Sequence, residues 1–205
     1  MFTNSMKYKN PTEIESSYSE NDIGRTLYDL VLKHKPKKIV EFGILYGYST
    51  VVMAMALDEI GEGHIYANDL FEDYSFKHGT IQEVQGNIDR YGLTKYVTLE
   101  KTNFEEWLKD PEDFDLLHVD VSNKGGTIER LYEAVRDHVA RGAIVVFEGG
   151  SKERDNVEWM IKYKEKKIND TNLENYFLTL LPISPDQMMC YIAHLHINLL
   201  DCESC

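Results

Sequence analysis

The stretch VEFGILYGYST (40–50) brings an acidic residue, two glycines and a serine together after an apolar run. Gly43 permits the tight turn that follows such a run, and Gly47 permits close approach of a ligand to the backbone. Ser49 lies where a helix would begin, and the free N–H groups of a helix N-terminus favour a carboxylate or a phosphate. Glu41 would repel a phosphate and attract an amine or a sulfonium. The GxxxG spacing differs from the GxGxxG of dinucleotide-binding turns, which disfavours a pyrophosphate.

A second acidic residue, Asp69, ends the next apolar run, HIYAND (64–69). At this position in nucleoside-binding α/β folds, an acid accepts hydrogen bonds from the hydroxyls of a ribose. A ligand with a ribose, an amine and a carboxylate but no phosphate matches S-adenosylmethionine. The alternative is that the glycines only shape a packed turn and that Asp69 is a solvated loop acid. The occurrence of both features in one strand–helix–strand unit favours binding.

Two further acids, Asp120 and Glu148, come late in the apolar runs FDLLHVDV and AIVVFE, and Lys124 follows the first run. Asp120 is a candidate base that removes the proton of a hydroxyl acceptor. Together with Glu148 it is also a candidate pair of ligands for Mg²⁺, which would acidify the acceptor. Lys124 is a candidate for orienting an anionic substrate. The alternatives are a helix N-cap at Asp120, a solvated loop acid at Glu148 and a solvated lysine, and the residues favour a chemical role only for Asp120.

The polar and aromatic segment FEDYSFKHGT (71–80) is long for a connection between a strand and a helix. It is a candidate wall or cover of the acceptor pocket through Tyr74, Phe76 and His78, with an ordinary surface loop as the alternative. His118 precedes Asp120 by two positions on the same strand. It is expected to be a buried, hydrogen-bonded histidine rather than a base.

These residues are positioned by strand and helix patterns that alternate along the chain. The apolar runs predict five strands, at 37–42, 64–69, 96–103, 114–121 and 143–148. Two more runs, 176–183 and 187–197, enclose the turn signal SPD and predict a hairpin. The pattern predicts an α/β fold with a Rossmann-like, mostly parallel seven-stranded sheet, helices on both faces and a C-terminal antiparallel hairpin. Ligands of such sheets bind outside the carboxyl ends of the strands.

The length of 205 residues predicts a single domain over 1–205, with an N-terminal extension at 1–18 and a flexible tail at 198–205. The formal net charge is −13 and no basic stripe is present, which argues against a nucleic-acid partner. No apolar stretch reaches the roughly 18–20 residues of a membrane span, and the N-terminus has no apolar signal core. We therefore expect a cytoplasmic protein with a small-molecule substrate, and a homodimer is left open.

The stretch VEFGILYGYSTVVMAMAL, followed by IYAND, resembles the first two motifs of the class I S-adenosylmethionine-dependent methyltransferases. The form E-x-G-x-x-x-G-Y-S is similar to that of the caffeoyl-CoA and catechol O-methyltransferase group. A related branch, the cephalosporin-hydroxylase-like group, is named for hydroxylation of an antibiotic nucleus. The similarity extends through most of residues 20–150.

The resemblance implies a set of cofactor-binding residues: Glu41, Gly43, Gly47, Ser49, Asp69, Asn103, Phe104 and Asp120. In this set, Glu41 and the two glycines would line the methionine part, Ser49 would bind its carboxylate and Asp69 its ribose. Asn103 and Phe104 fall where the family contacts adenine. Asp120 falls at the family's catalytic and metal-binding corner, with Glu148 as the second metal ligand.

The chain departs from its relatives at this corner. Relatives carry Asp-Asn or Glu-Asp after the fifth strand, whereas this chain has Glu148-Gly149-Gly150 and therefore one oxygen ligand fewer. A related subgroup has Asp-His after Asp120, where this chain has Ser122-Asn123. Three functions follow: methyl transfer to a small molecule, at a hydroxyl oxygen; non-catalytic binding of S-adenosylmethionine; and an NAD-type oxidoreductase, which the GxxxG turn disfavours.

Overall fold

The computed structural model describes residues 8–19, 22–122, 124–148, 155–171, 178–184 and 187–193. The strands are β1 (Lys38–Phe42), β2 (His64–Asp69), β3 (Val97–Lys101), β4 (Leu116–Val119), β5 (Ile144–Glu148), β6 (Leu178–Ser184) and β7 (Gln187–Ala193). The helices are α1 (Ile23–His34), α2 (Tyr48–Ile60), α3 (Ile81–Arg90), α4 (Phe104–Trp107), α5 (Gly125–Ala140) and α6 (Glu158–Tyr163). Short 3₁₀ turns cover Phe71–Asp73, Thr94–Tyr96 and Ile168–Asp170.

The strands form one sheet in the order β3-β2-β1-β4-β5-β7-β6. The first five are parallel to one another, and β7 pairs antiparallel with both β5 and β6. The chain order reverses between β1 and β4, since β2 and β3 lie on one side of β1 and β4 and β5 on the other. Such a reversal opens a crevice at the carboxyl ends of the two strands, where ligands of open α/β sheets bind.

Alternate side chains of each strand enter different layers of the core. On β1, Ile39 faces the layer that contains α1, α2 and α3, whereas Val40 and Phe42 face the layer that contains α4 and α5. Helix α2 is buried from Tyr48 through Leu57, because it is enclosed by the sheet and its neighbouring helices. This explains why its sequence is apolar on all sides.

The five parallel strands with helices on both faces confirm the expected Rossmann-like α/β fold. The expected C-terminal hairpin is described only in its strands, and its turn at 185–186 lies outside the described residues. Residues 1–7 and the expected tail at 198–205 lie outside them as well. Part of the expected N-terminal extension packs on the core, where Ile14 and Tyr18 are buried. Within the described parts of the chain, none of the helices has the length and apolarity that a membrane crossing requires.

Candidate functional site

A cavity of about 470 Å³ opens at the carboxyl ends of β1, β2 and β4. It lies at the reversal of strand order that favours ligand binding. The predicted cofactor-binding residues that line this cavity are Gly43, Asp69, Asn103, Phe104 and Asp120. The cavity thus collects side chains that are far apart in the sequence.

The turn between β1 and α2 depends on two glycines with positive φ. Gly43 has a φ of 84°, and a Cβ atom there would lie 2.3 Å from the carbonyl oxygen of Asp120. Gly43 therefore lets β1 end directly against the backbone that follows β4. Gly47 has a φ of 88° and caps α2, and a Cβ atom there would lie 3.1 Å from Cγ1 of Val84 on α3. Gly47 is not among the residues that line the cavity, and its glycine is required by the turn and by α3, while its contact with the cofactor stays a prediction.

The carboxylate of Asp69 is the buried polar centre of the cavity wall. Its Oδ2 accepts from the N–H of Ile44 at 2.7 Å and contacts Nε2 of His78 at 2.7 Å. Its Oδ1 accepts from the N–H groups of Leu70 at 2.6 Å and Phe71 at 3.2 Å. Burial raises the pKa of Asp69, but the hydrogen bonds from His78 and from the backbone of Ile44 and Phe71 outweigh it, so the pKa lies below its ordinary value. Asp69 is therefore a carboxylate anion that joins the glycine turn to the segment after β2.

Glu41 lies beneath the glycine turn and is fully buried. It accepts from the hydroxyl of Ser49 at 2.5 Å and from that of Thr50 at 2.5 Å, and its Oε1 is 3.1 Å from Nδ1 of His118. The Glu41 side chain thus links the first turn of α2 to β1 and β4 by hydrogen bonds. His118 is buried and hydrogen-bonded, as expected.

The cofactor contacts that the resemblance implied for Glu41 and Ser49 stay a prediction, because neither residue lines the cavity. The physical reason is strand geometry, because the Glu41 side chain points into the layer of α1 and α2 below the strand end. The Ser49 hydroxyl is directed to Glu41. What the first turn of α2 offers a ligand is its backbone N–H groups, as at any helix N-terminus.

Asn103 and Phe104 form the far wall of the cavity, beyond β3. The side chain of Asn103 accepts from the N–H of Glu105 at 2.8 Å and so caps α4. The Phe104 ring packs against Phe42, with centroids 5.3 Å apart. Both residues are held by the local structure and still border the cavity.

Asp120 directly follows β4, and its N–H donates to the carbonyl of Phe42 at 2.8 Å. Glu148 ends β5, next to β4 in the sheet, and the last paired residues are Val119 and Phe147. The two acids therefore follow matched positions at the same sheet edge, although the Glu148 side chain lies outside the described part. Over the residues that the structure describes, no group of three His, Cys, Asp or Glu side chains could hold a metal ion. The Mg²⁺ hypothesis therefore stays a prediction that rests on the two carboxylates of Asp120 and Glu148.

Lys124 contacts residues on and after α6. Its Nζ lies 2.7 Å from Oε1 of Glu165 and 5.6 Å from the centre of the Trp159 ring, which belongs to α6. Lys124 is not among the residues that line the cavity, and its role in orienting a substrate stays a prediction. Asn123, Gly149 and Gly150 lie outside the described residues.

The 71–80 loop contributes Tyr74 and His78 to the cavity wall, as the aromatic composition indicated. Phe76, the third candidate, is 73% exposed and is not among the lining residues. Thr102 and Thr127 also line the cavity and were not predicted. Their sequence context carries no signal, because a threonine after a strand or within the first turn of a helix is common.

With this geometry established, the class of the protein follows from comparison with known families. The sequence profile of a family described as a methyltransferase domain matches residues 40–148, from β1 to the end of β5. This is more than half of the chain, and the protein belongs to the methyltransferase-domain family. The match confirms the class that the glycine turn and Asp69 indicated.

Solved structures share the fold. A protein from Klebsiella pneumoniae assigned as an O-methyltransferase is 20% identical, with 89% of this chain and 83% of that chain covered and a TM-score of 0.62. An O-methyltransferase from Bacillus cereus in complex with SAH is 17% identical, with 92% and 84% covered and a TM-score of 0.59. An O-methyltransferase of tomaymycin synthesis from Streptomyces achromogenes, in complex with SAM, is 14% identical, with 94% and 93% covered and a TM-score of 0.58. At these identities the likeness shows the fold alone, and a search of curated proteins finds no match.

Proposed function

We propose that the protein is a class I methyltransferase that transfers a methyl group from S-adenosylmethionine to a hydroxyl oxygen of a small molecule. The observation that carries the proposal is the charge of the cavity. Asp69 and Asp120 line it, together with Glu105, whose carboxylate pairs with Arg130 at 2.9 Å outside the lining, and no lysine or arginine lines it among the described residues. A cavity with this lining favours a cationic sulfonium and disfavours the pyrophosphate of NAD. The non-catalytic S-adenosylmethionine-binding protein remains the alternative that an assay must exclude.

The cavity also suits S-adenosylmethionine in size and position. Its volume of about 470 Å³ is within the roughly 300–1,000 Å³ of small-molecule sites. In the proposed arrangement, Asp69 accepts the ribose hydroxyls and Asn103 and Phe104 border the adenine. The first turn of α2 takes the carboxylate through its N–H groups, and Glu41 holds that turn in place.

When bound, S-adenosylmethionine would supply a methyl group whose carbon an acceptor oxygen attacks, with S-adenosylhomocysteine as the leaving group. The residues of the cavity would hold the acceptor in line with the C–S bond, and this alignment would supply much of the acceleration. Asp120 is proposed to take the proton of the acceptor hydroxyl, because it lies in the cavity wall at the end of β4. The alternative route is a Mg²⁺ ion that Asp120 and Glu148 would hold together and that would acidify the acceptor hydroxyl, since Mg²⁺ often uses one or two carboxylates plus water and substrate oxygens.

Transfer of labelled methyl from S-adenosylmethionine to a panel of catechols, phenols and hydroxy acids tests this function. We expect label in at least one acceptor, and a turnover lower by about 100-fold or more in Asp120→Asn, because its proton acceptor is lost. Asp137→Asn, an exposed change on α5, is the matched control and should keep full activity. Binding of S-adenosylmethionine with no transfer to any acceptor would instead support the non-catalytic alternative.

A further inference from the structure

The acceptor capacity of Asp69 is fully used within the chain. An ionised carboxylate offers about four lone-pair positions. Three receive the backbone N–H groups of Ile44, Leu70 and Phe71, and the fourth faces Nε2 of His78. Since the acceptor is an anion, the hydrogen lies on Nε2 of His78 and is donated to Asp69. Ribose hydroxyls that bind Asp69 must therefore replace a donor that is already present.

The three backbone donors are held by the path of the chain. Ile44 belongs to the glycine turn, and Leu70 and Phe71 directly follow β2. Phe71 is fully buried and has a φ of 48°, in the left-handed region, so its strained backbone is held by the surrounding structure. These donors cannot leave without disrupting the turn or the end of β2. His78 is the donor whose withdrawal leaves the strand ends intact.

His78 follows the exposed residues 72–77, although its own side chain is only 14% exposed. Its ring meets Tyr74 at 5.2 Å between centroids, and Tyr74 meets Phe76 at 5.6 Å. Tyr74 is 44% and Phe76 73% exposed, so this aromatic group covers little apolar surface. The loop is fixed again at Gly79, whose N–H donates to the carbonyl of Leu45 at 3.1 Å. Lys77 adds an exposed ion pair with Glu15 and lies 5.9 Å from the centre of the Tyr46 ring. Exposed contacts of this kind are weak, so residues 74–78 can shift while both ends of the 71–80 loop stay in place.

We propose that His78 sets the affinity for the nucleoside by occupying, in the free protein, the position on Asp69 that a ribose hydroxyl takes in the complex. Binding then exchanges one hydrogen bond of Asp69 for another, and the 71–80 loop moves as the ligand enters. The inference rests on the proposed function, since it assigns the ribose to Asp69. The His78-bound form lowers the apparent affinity in proportion to its population.

The test is calorimetric titration of S-adenosylhomocysteine into the wild type, His78→Ala and His64→Ala. His64 contacts Thr98 at 2.8 Å near the opposite end of β2 and is the matched control. We expect His78→Ala to bind about three- to tenfold more tightly than the wild type, because the competing donor is gone. His64→Ala should bind as the wild type does. Equal or weaker binding by His78→Ala overturns the inference while the proposed function stands.

A second titration separates competition at the ribose from a general opening of the cavity. Adenosine and 2′,3′-dideoxyadenosine differ only in the hydroxyls that Asp69 would accept. The tighter binding of His78→Ala should appear with adenosine and be absent with dideoxyadenosine. An equal gain with both nucleosides overturns the assignment to the ribose. If the wild type and both variants fail to bind S-adenosylhomocysteine, the proposed function fails together with the inference.

Discussion

The two glycines of the β1–α2 turn are required by the backbone conformation and by packing, independently of any ligand. A side chain at Gly43 would collide with the carbonyl of Asp120, and one at Gly47 would press on Val84. Both residues also have φ values in the left-handed region, where any side chain is strained. The turn can therefore be tested by stability as well as by ligand binding.

We expect the free energy of unfolding to fall by about 1–2 kcal/mol in Gly47→Ala and by more in Gly43→Ala, where the close atom is backbone. Gly86→Ala is the matched control. It lies within α3 with no atom within 4 Å of the added Cβ, and should raise the free energy by about 0.5–1 kcal/mol. Chemical denaturation measures all three variants. If Gly86→Ala lowered the free energy of unfolding as much as Gly43→Ala does, that result would contradict this packing.

The sequence was sufficient to predict which residue types surround the cavity, but not where each side chain points. Asp69 and Asp120 line the cavity as predicted, because each comes at or directly after the end of a strand of the parallel sheet. Glu41 lies within β1, and its partners Ser49 and His118 come from α2 and β4. That cluster depends on the strand register between β1 and β4. The spacing of residues within one motif gives no information on that register.

At the scale of elements, the alternation of apolar runs predicted the five parallel strands and missed their exact ends. The third strand was expected at 96–103, but Tyr96 belongs to a 3₁₀ turn and Asn103 caps α4, which leaves Val97–Lys101. The capping box of Thr80 and Glu83 fixes the start of α3 and hence the end of the 71–80 loop. Such local hydrogen bonds compete with the hydrogen bonds of the sheet at the strand ends. The neighbouring segments determine which of the two sets forms.

The metal hypothesis rests on the adjacent ends of β4 and β5, which are followed or ended by Asp120 and Glu148, and it can be tested by removing the metal. Two carboxylates at one sheet edge repel each other unless a cation or a proton lies between them. We expect a chelator to lower methyl transfer, added Mg²⁺ to restore it, and Glu148→Gln to remove that response. Turnover measured with and without chelator in the wild type and Glu148→Gln tests whether a metal ion at Glu148 takes part in methyl transfer. Chelator-resistant turnover together with full activity of Glu148→Gln would contradict the metal hypothesis.

At the scale of the whole molecule, the sheet brings acids from the ends of different strands to one cavity. The net charge of −13 did not predict this, because overall charge reports solubility and not the lining of a site. The observed order of strands accounts for it, since the reversal between β1 and β4 opens the crevice that Asp69 and Asp120 border. The central claim is that this acidic crevice selects a sulfonium nucleoside over a dinucleotide.

Calorimetric titration of S-adenosylmethionine and of NAD⁺ into the wild type, Asp69→Ala and Asp137→Ala tests that claim most directly. We predict that the wild type binds S-adenosylmethionine and not NAD⁺. Asp69→Ala should weaken binding by about 1–3 kcal/mol, because the cofactor hydroxyls lose a charged acceptor, and Asp137→Ala should have no effect. Binding of NAD⁺ as tight as that of S-adenosylmethionine, or unchanged affinity in a folded Asp69→Ala, would contradict the account.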